Sequence, residues 1–167
     1  MTKKIFTIAI ALMFTAVISK AQSIPNEGFE TWTNMGTYGM PDSWSTLNQM
    51  TSSAGTFTAQ SGAGNVGTYC LKLTSRNVTG MGVMPGVATS GTLNQTTFQP
   101  INGFAYNMRS ANLTGKWQHM ISGSSQGYVD VQLTRWDAGM NMRMPVATGH
   151  LTLSGMAMSW ASFTVPL

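Results

Sequence analysis

Apolar and polar residues alternate along this chain, most regularly between Tyr128 and Trp136. Val129, Val131 and Leu133 fall on one side of that segment, because successive side chains of a β-strand point to opposite faces. Beyond residue 21, no window repeats apolar residues at helical spacing over three turns. The pattern therefore predicts an all-β fold of short antiparallel strands.

Further strands are predicted where apolar or aromatic residues alternate between turn-forming segments. They cover 29–33, 69–73, 81–87, 113–121, 146–153 and 160–165. Loops rich in Gly and Ser separate them, and many short strands between such loops are typical of an antiparallel β-sandwich or jelly roll. The 167 residues are enough for one domain, and no internal repeat is visible.

The first 21 residues have the form of a secretory signal peptide. Two lysines precede the apolar run 5–18, and small residues precede a cleavage site before Gln22. This run is shorter than the roughly 20 residues that span a bilayer. We predict a signal peptide or signal helix over 1–21 and a β-sandwich domain over 22–167. After cleavage the protein is expected to be secreted, periplasmic or on the cell surface, with no membrane partner.

The charge of the chain argues against a nucleic-acid partner. The formal net charge is +4, but three of the nine basic residues lie in the first 20 positions, where no acidic residue lies. Nucleic-acid binding needs clustered cations that displace counterions from phosphates. No such cluster occurs in the rest of the chain.

Residues that could support catalysis are scarce. Cys70 is the only cysteine and is expected to be a buried small apolar residue. His119 and His150 have no zinc-site spacing, and Asp130 and Asp137 would point to opposite faces of one strand. Glycoside hydrolysis needs two carboxylates that face one cleft. We therefore expect no enzyme activity.

Methionine is unusually common, with 14 in the chain. Several are closely spaced: Met140, Met142, Met144, Met156 and Met158. Thioether sulfurs can bind copper(I), but histidine and cysteine companions are few. Adaptable side chains that fill the core are the better explanation.

Two segments after the predicted cleavage site resemble the start of a known family. Residues 24–32 read I-P-N-E-G-F-E-T-W, and residues 41–48 read P-D-S-W-S-T-L-N. This opening is similar to that of secreted carbohydrate-binding jelly rolls with a galactose-binding-like fold. The pattern continues in order through 61–62, 69–73, 84–87, 103–106, 112–117 and 131–136.

Together these segments resemble exported Bacteroidetes proteins that carry a galactose-binding-like carbohydrate-metabolism domain, often followed by a type IX sorting tail. The resemblance covers nearly all of 22–167 and implies a jelly roll that binds carbohydrate. Such domains continue with at least one more strand, whereas this sequence stops at Leu167 without a sorting tail. The resemblance therefore implies a sandwich that lacks its last strand and an edge that could pair with another chain.

The polar face of the 128–136 strand is the candidate glycan site. Flat aromatic rings stack on the apolar faces of sugars, and nearby polar groups bind hydroxyls. The predicted ligand-binding residues are Trp117, Tyr128, Asp130, Gln132 and Trp136. Trp117 contributes only if its strand lies beside this one, and the alternative for each tryptophan is burial in the core.

Four other residues have expected roles outside this face. Trp32 and Trp44 each follow a turn and are expected to be structural, whereas Asn48 and Arg109 could line a site from loops. In jelly rolls with a similar Phe-Glu opening, the carboxylate helps hold a structural calcium ion, so the resemblance implies this role for Glu30. The alternative is a solvated or salt-bridged glutamate, since calcium takes about six to eight oxygen ligands and this chain has only five acids.

These observations lead to one expected function and two alternatives. We expect an exported, non-catalytic module that recognises a glycan or polysaccharide and needs no cofactor other than structural calcium. The first alternative is a structural or adhesion β-sandwich of the cell surface without a small ligand. The second is a fragment of a carbohydrate-active enzyme.

Overall fold

The computed structural model describes residues 22–167, and the predicted signal peptide lies outside the described residues. Strands make up 50% of the structure and helices 5%. The strand pairs in the described part of the chain are all antiparallel. The all-β fold predicted from the alternation is therefore confirmed.

The strands are β1 (Trp32–Asn34), β2 (Gly39–Pro41), β3 (Trp44–Thr46), β4 (Ala59–Ala63), β5 (Tyr69–Leu73), β6 (Arg76–Val78), β7 (Gly82–Met84), β8 (Ala88–Ser90), β9 (Asn112–Met120), β10 (Gly127–Asp137), β11 (Met142–Leu153) and β12 (Met156–Pro166). A short helix, α1 (Asn48–Thr51), continues into a 3-10 turn over Ser52–Ala54. Within residues 22–167 the strands form six two-stranded sheets: β1–β2, β3–β8, β4–β5, β6–β7, β9–β12 and β10–β11.

Two strands in the first half of the described chain differ from the predicted bounds. The strand predicted over 29–33 begins only at Trp32, because the left-handed backbone of Phe29 (φ 56°) interrupts the extended conformation. The strand predicted over 81–87 contains β7 alone. Gly82 has φ 78° at its start, and Pro85, which lacks a backbone N–H, follows its end.

Side-chain hydrogen bonds and ring contacts hold the segment before β1. The Asn26 Nδ2 donates to the carbonyl of Thr31 (2.9 Å), and the Asn26 Oδ1 accepts the Thr31 N–H (3.1 Å). The rings of Phe29 and Trp44 lie 4.9 Å apart. The indoles of Trp32 and Trp44 each donate their N–H to a backbone carbonyl of this segment. Both tryptophans are therefore structural.

The buried apolar core lies in the first half of the described chain. Its members are Leu47, Val78, Met84 and Leu93, with Met50, Ala54, Val87 and Phe98 packed against them. These residues come from α1, from the short strands β6 and β7 and from the loops around them. The core thus joins the β6–β7 sheet to α1 and to the surrounding loops.

Asn48 lies inside this half of the molecule and is fully buried. Its Oδ1 accepts the N–H groups of Thr58 (2.9 Å) and Ala59 (3.0 Å), and its Nδ2 donates to the Ala59 carbonyl (2.6 Å). The expectation that Asn48 could line a binding site is therefore wrong. Its amide instead satisfies backbone groups that would otherwise be buried without partners.

Two long ribbons form the second half. β10 and β11 form a hairpin through residues 138–141, which we call the hairpin ribbon, and β9 pairs with β12 in the outer ribbon. Val165 of β12 is fully buried and approaches Gly149 of β11. A Cβ at Gly149 would lie 2.7 Å from Val165 Cγ1 and would overlap the carbonyl oxygen of Pro166. The two ribbons therefore meet closely at this glycine.

Five methionines of the two ribbons and the hairpin turn are exposed. At least half of the side-chain surface is accessible at Met120, Met140, Met142, Met156 and Met158. The expectation that methionines fill the core holds for Met84 but is wrong for these five. Strand alternation places them on faces that no other element of the described chain covers, or at the hairpin turn.

Candidate functional site

The outward face of β10 carries four of the five predicted ligand-binding residues. Tyr128, Asp130, Gln132 and Trp136 are all exposed. The intervening residues 129, 131 and 133 are half-buried, so the two faces of this strand are those that the sequence predicts. Tyr128 is 60% exposed and Trp136 is 57% exposed. Eight steps along an extended strand separate these aromatic residues by about 27 Å.

β11 places a second row of polar residues beside this one. Opposite Tyr128, Asp130, Gln132 and Trp136 lie, in order, Thr152, His150, Thr148 and Arg143. All four partners are exposed. Directly opposed residues of an antiparallel pair project from the same face, with Cβ atoms about 5 Å apart. We call this two-row surface the β10–β11 face.

His150 joins three side chains at one end of the β10–β11 face. Its Nδ1 lies 2.5 Å from Asp130 Oδ1, and its Nε2 lies 2.9 Å from Thr152 Oγ1. In the neutral imidazole, Nδ1–H then donates to the carboxylate and Nε2 accepts the Thr152 hydroxyl proton. The Tyr128 and His150 rings are stacked, with centroids 6.1 Å apart and an interplanar angle of 28°. These contacts fix the orientation of the imidazole.

The other end of the face combines an aromatic ring with a cation. Arg143 is the cross-strand partner of Trp136, and both are exposed. Arg143 and Asp130 bring opposite charges to this face. A surface with one charge of each sign, aromatic rings at both ends and hydroxyl or amide groups between them suits an uncharged, hydroxyl-rich ligand.

Trp117 does not lie on this face. Its strand pairs with β12 rather than with β10. The Trp117 ring is half-buried and stacks on Phe163, with centroids 4.7 Å apart, and the edge of His119 approaches it at 5.5 Å. The cross-strand partner of Phe163 is Gly115, which leaves room for the Phe163 ring. The structure therefore gives Trp117 a packing role in the outer ribbon.

Glu30 anchors a loop. Its carboxylate accepts the backbone N–H groups of Thr68 (3.0 Å) and Tyr69 (3.1 Å). A side chain on Gly67 would collide with the carboxylate. Within residues 22–167, no three His, Cys, Asp or Glu side chains are grouped to hold a metal ion. The surroundings of Glu30 supply hydrogen-bond donors where calcium needs oxygen ligands, so they do not fit the calcium site that the resemblance implies.

Cys70 and Arg109 lie outside the β10–β11 face. Cys70 is half-buried on β5, less enclosed than expected, and its thiol lies 3.3 Å from the carbonyl of Ala63. Burial raises the pKa of the Cys70 thiol, although the Gly62 backbone and the Lys72 charge oppose the rise. A raised pKa favours the unreactive thiol form. Arg109 is exposed before β9.

Sequence reasoning missed the β11 half of the face. From the sequence, His150 was considered only for zinc-site spacing, whereas in the structure it contacts Asp130 twenty positions earlier. Thr148, His150 and Thr152 alternate with half-buried residues in the predicted strand 146–153, so the signal was present. The sequence does not give the register between β10 and β11, which pairs Asp130 with His150.

Comparisons with protein-family models, with curated proteins and with solved structures gave no match. Among residues 22–167, no helix is both long and apolar enough to cross a membrane.

Proposed function

We propose that the protein is an exported, non-catalytic carbohydrate-binding module of jelly-roll type, and that the β10–β11 face binds an extended glycan. The observation that carries this proposal is the exposed row of Tyr128, Asp130, Gln132 and Trp136 beside its polar partners on β11. Aromatic side chains left in water at two ends of one face offer stacking surfaces, and the side chains between them offer hydrogen bonds. The separation of about 27 Å suits several consecutive sugar residues.

The test is a glycan-array screen of the purified protein, followed by titration of the best soluble oligosaccharide. Stacking that covers about 60 Å² of apolar ring surface contributes about 1.5 kcal/mol at about 25 cal/mol/Å². We therefore expect Trp136→Ala and Tyr128→Ala each to weaken binding about tenfold. Tyr69→Ala, which removes an exposed tyrosine outside the face, should leave the dissociation constant unchanged.

The same titration tests whether calcium and the length of the oligosaccharide affect binding. Because the Glu30 carboxylate already accepts two backbone N–H groups, a calcium chelator should not change the affinity for the oligosaccharide. Oligosaccharides that are too short to reach both Tyr128 and Trp136 should bind more weakly than longer ones. Binding that survives the Tyr128→Ala/Trp136→Ala double substitution would place the site elsewhere.

A structural or adhesion role is the second candidate. Within the described chain, β10 pairs only with β11, which leaves the other edge of an eleven-residue strand without a neighbour. Such an edge can pair with a strand of another chain. A blank array from protein with a cooperative unfolding transition, together with concentration-dependent self-association, would favour this role over glycan binding.

A further inference from the structure

Three exposed methionines lie together at one end of the outer ribbon. Met120 and Met156 are direct cross-strand partners, and Met158 follows two residues after Met156, at the start of the β12 segment 158–160 where the pairing with β9 is interrupted. Their exposed fractions are 71%, 71% and 69%, while Ala157 between the two β12 methionines is half-buried. Met120 and Met156 therefore project from one face, and the exposure of Met158 beside half-buried Ala157 puts its side chain on the same outward side. We call this group the methionine trio.

The geometry of the ribbon brings the three sulfur atoms within reach of one another. As cross-strand partners, Met120 and Met156 have Cβ atoms about 5 Å apart, and Met158 lies two strand steps, about 7 Å, from Met156 along β12. Each methionine side chain has three rotatable bonds, so its sulfur can move by several ångströms without any change in the backbone. Three thioethers can thus converge on one point above the strands.

We propose that the methionine trio is a binding site for a soft monovalent metal ion, copper(I) or its analogue silver(I). Uncharged thioether sulfur is a soft ligand that selects copper(I) over harder ions such as calcium, magnesium or zinc. The sequence raises two objections to a copper site: the methionines are expected in the core, and few His or Cys residues accompany them. The structure removes the first objection by exposing the trio, and three sulfur ligands at one place need no such companions.

Other methionines of the described chain are less suited to this role. At the tip of the hairpin ribbon, Met140 and Met142 are exposed but Met144 is half-buried, so three sulfurs do not share one face. Met84 is buried in the core and cannot reach solvent. Neither the hairpin-tip methionines nor Met84 therefore offers the three exposed sulfurs that the trio offers.

The experiment is a competition titration of the purified protein with a chromophoric copper(I) chelator, without oxygen and with ascorbate present. We expect one copper(I) ion per chain. The conservative substitutions Met120→Leu, Met156→Leu and Met158→Leu keep an apolar side chain of similar volume, so the fold is retained. Each should weaken copper(I) binding at least tenfold, and the triple variant should abolish it.

The matched control is the double variant Met140→Leu/Met142→Leu, which removes two exposed sulfurs outside the trio. It should bind copper(I) like the unchanged protein. Silver(I) gives a readout without redox chemistry, because the methyl NMR signals of ligating methionines shift on titration. Shifts confined to Met120, Met156 and Met158 support the proposal. It would be overturned by unchanged copper(I) binding in the triple leucine variant, by loss of binding in the control, or by no binding to the unchanged protein.

Discussion

Substitution of Asn48 tests whether a single buried amide holds the first half of the fold together. Asn48→Ala removes three hydrogen bonds to Thr58 and Ala59, both of which are about 1% exposed. Each bond contributes about 0.5 to 1.5 kcal/mol net, and the backbone groups left behind are buried. We therefore expect a loss of about 3 kcal/mol, a large part of the roughly 5 to 15 kcal/mol that stabilises a typical domain.

Urea unfolding followed by tryptophan fluorescence measures this loss. With a slope of about 2 kcal/mol per molar urea, the midpoint should fall by about 1.5 M. The matched control is Asn77→Ala, because Asn77 is exposed on β6 and should change stability by no more than about 0.5 kcal/mol. Equal urea midpoints for the two alanine variants would refute this expectation, since the amide would then contribute nothing beyond an exposed asparagine.

Two further predictions concern packing and thiol chemistry. Gly149→Ala should destabilise the protein by about 1 to 3 kcal/mol, because its Cβ would press on Val165 and the Pro166 carbonyl. Gly103→Ala, whose Cβ would meet its nearest atom at 3.5 Å, should be nearly neutral in the same urea experiment, and equal losses would contradict the account. Because burial raises the pKa of Cys70, its alkylation in the folded protein should rise with pH through a higher midpoint than in urea-unfolded protein. A midpoint at or below the unfolded one would refute this.

The strands predicted best from the sequence are those in which the alternation of apolar and polar residues is visible within the strand itself. In β10 the predicted segment 128–136 differs from the structure by one residue at each end, and its two faces are as expected. Strands β11 and β12 each begin four residues earlier than predicted, at Met142 and Met156. Both early segments are rich in methionine, which the composition argument assigned to the core rather than to exposed strand positions.

Features that depend on distant partners could not be predicted. Asn48 looks like an ordinary loop residue until Thr58 and Ala59 fold against it. Trp117 was a candidate for the glycan site because nothing in its own segment reveals that β9 pairs with β12, more than thirty residues later. Asp130 was chosen for its strand face, but its contact with His150 depends on the register of the hairpin.

In the sequence, the two strands of the hairpin ribbon lie between the two strands of the outer ribbon. This order has a consequence for the folding pathway. In the unfolded chain, pairing Met120 with Met156 closes a loop of about 35 residues. Once the hairpin ribbon has formed, with Gly127 opposite Leu153, only the short linkers 121–126 and 154–155 remain to be ordered. The entropic cost of closure grows as about 1.5 RT ln n, so this shortening to about eight residues lowers it by about 1.3 kcal/mol. We therefore expect the hairpin to form first and the outer ribbon to close after it, which makes the short turn at 138–141 a control point for the folding rate of the whole second half.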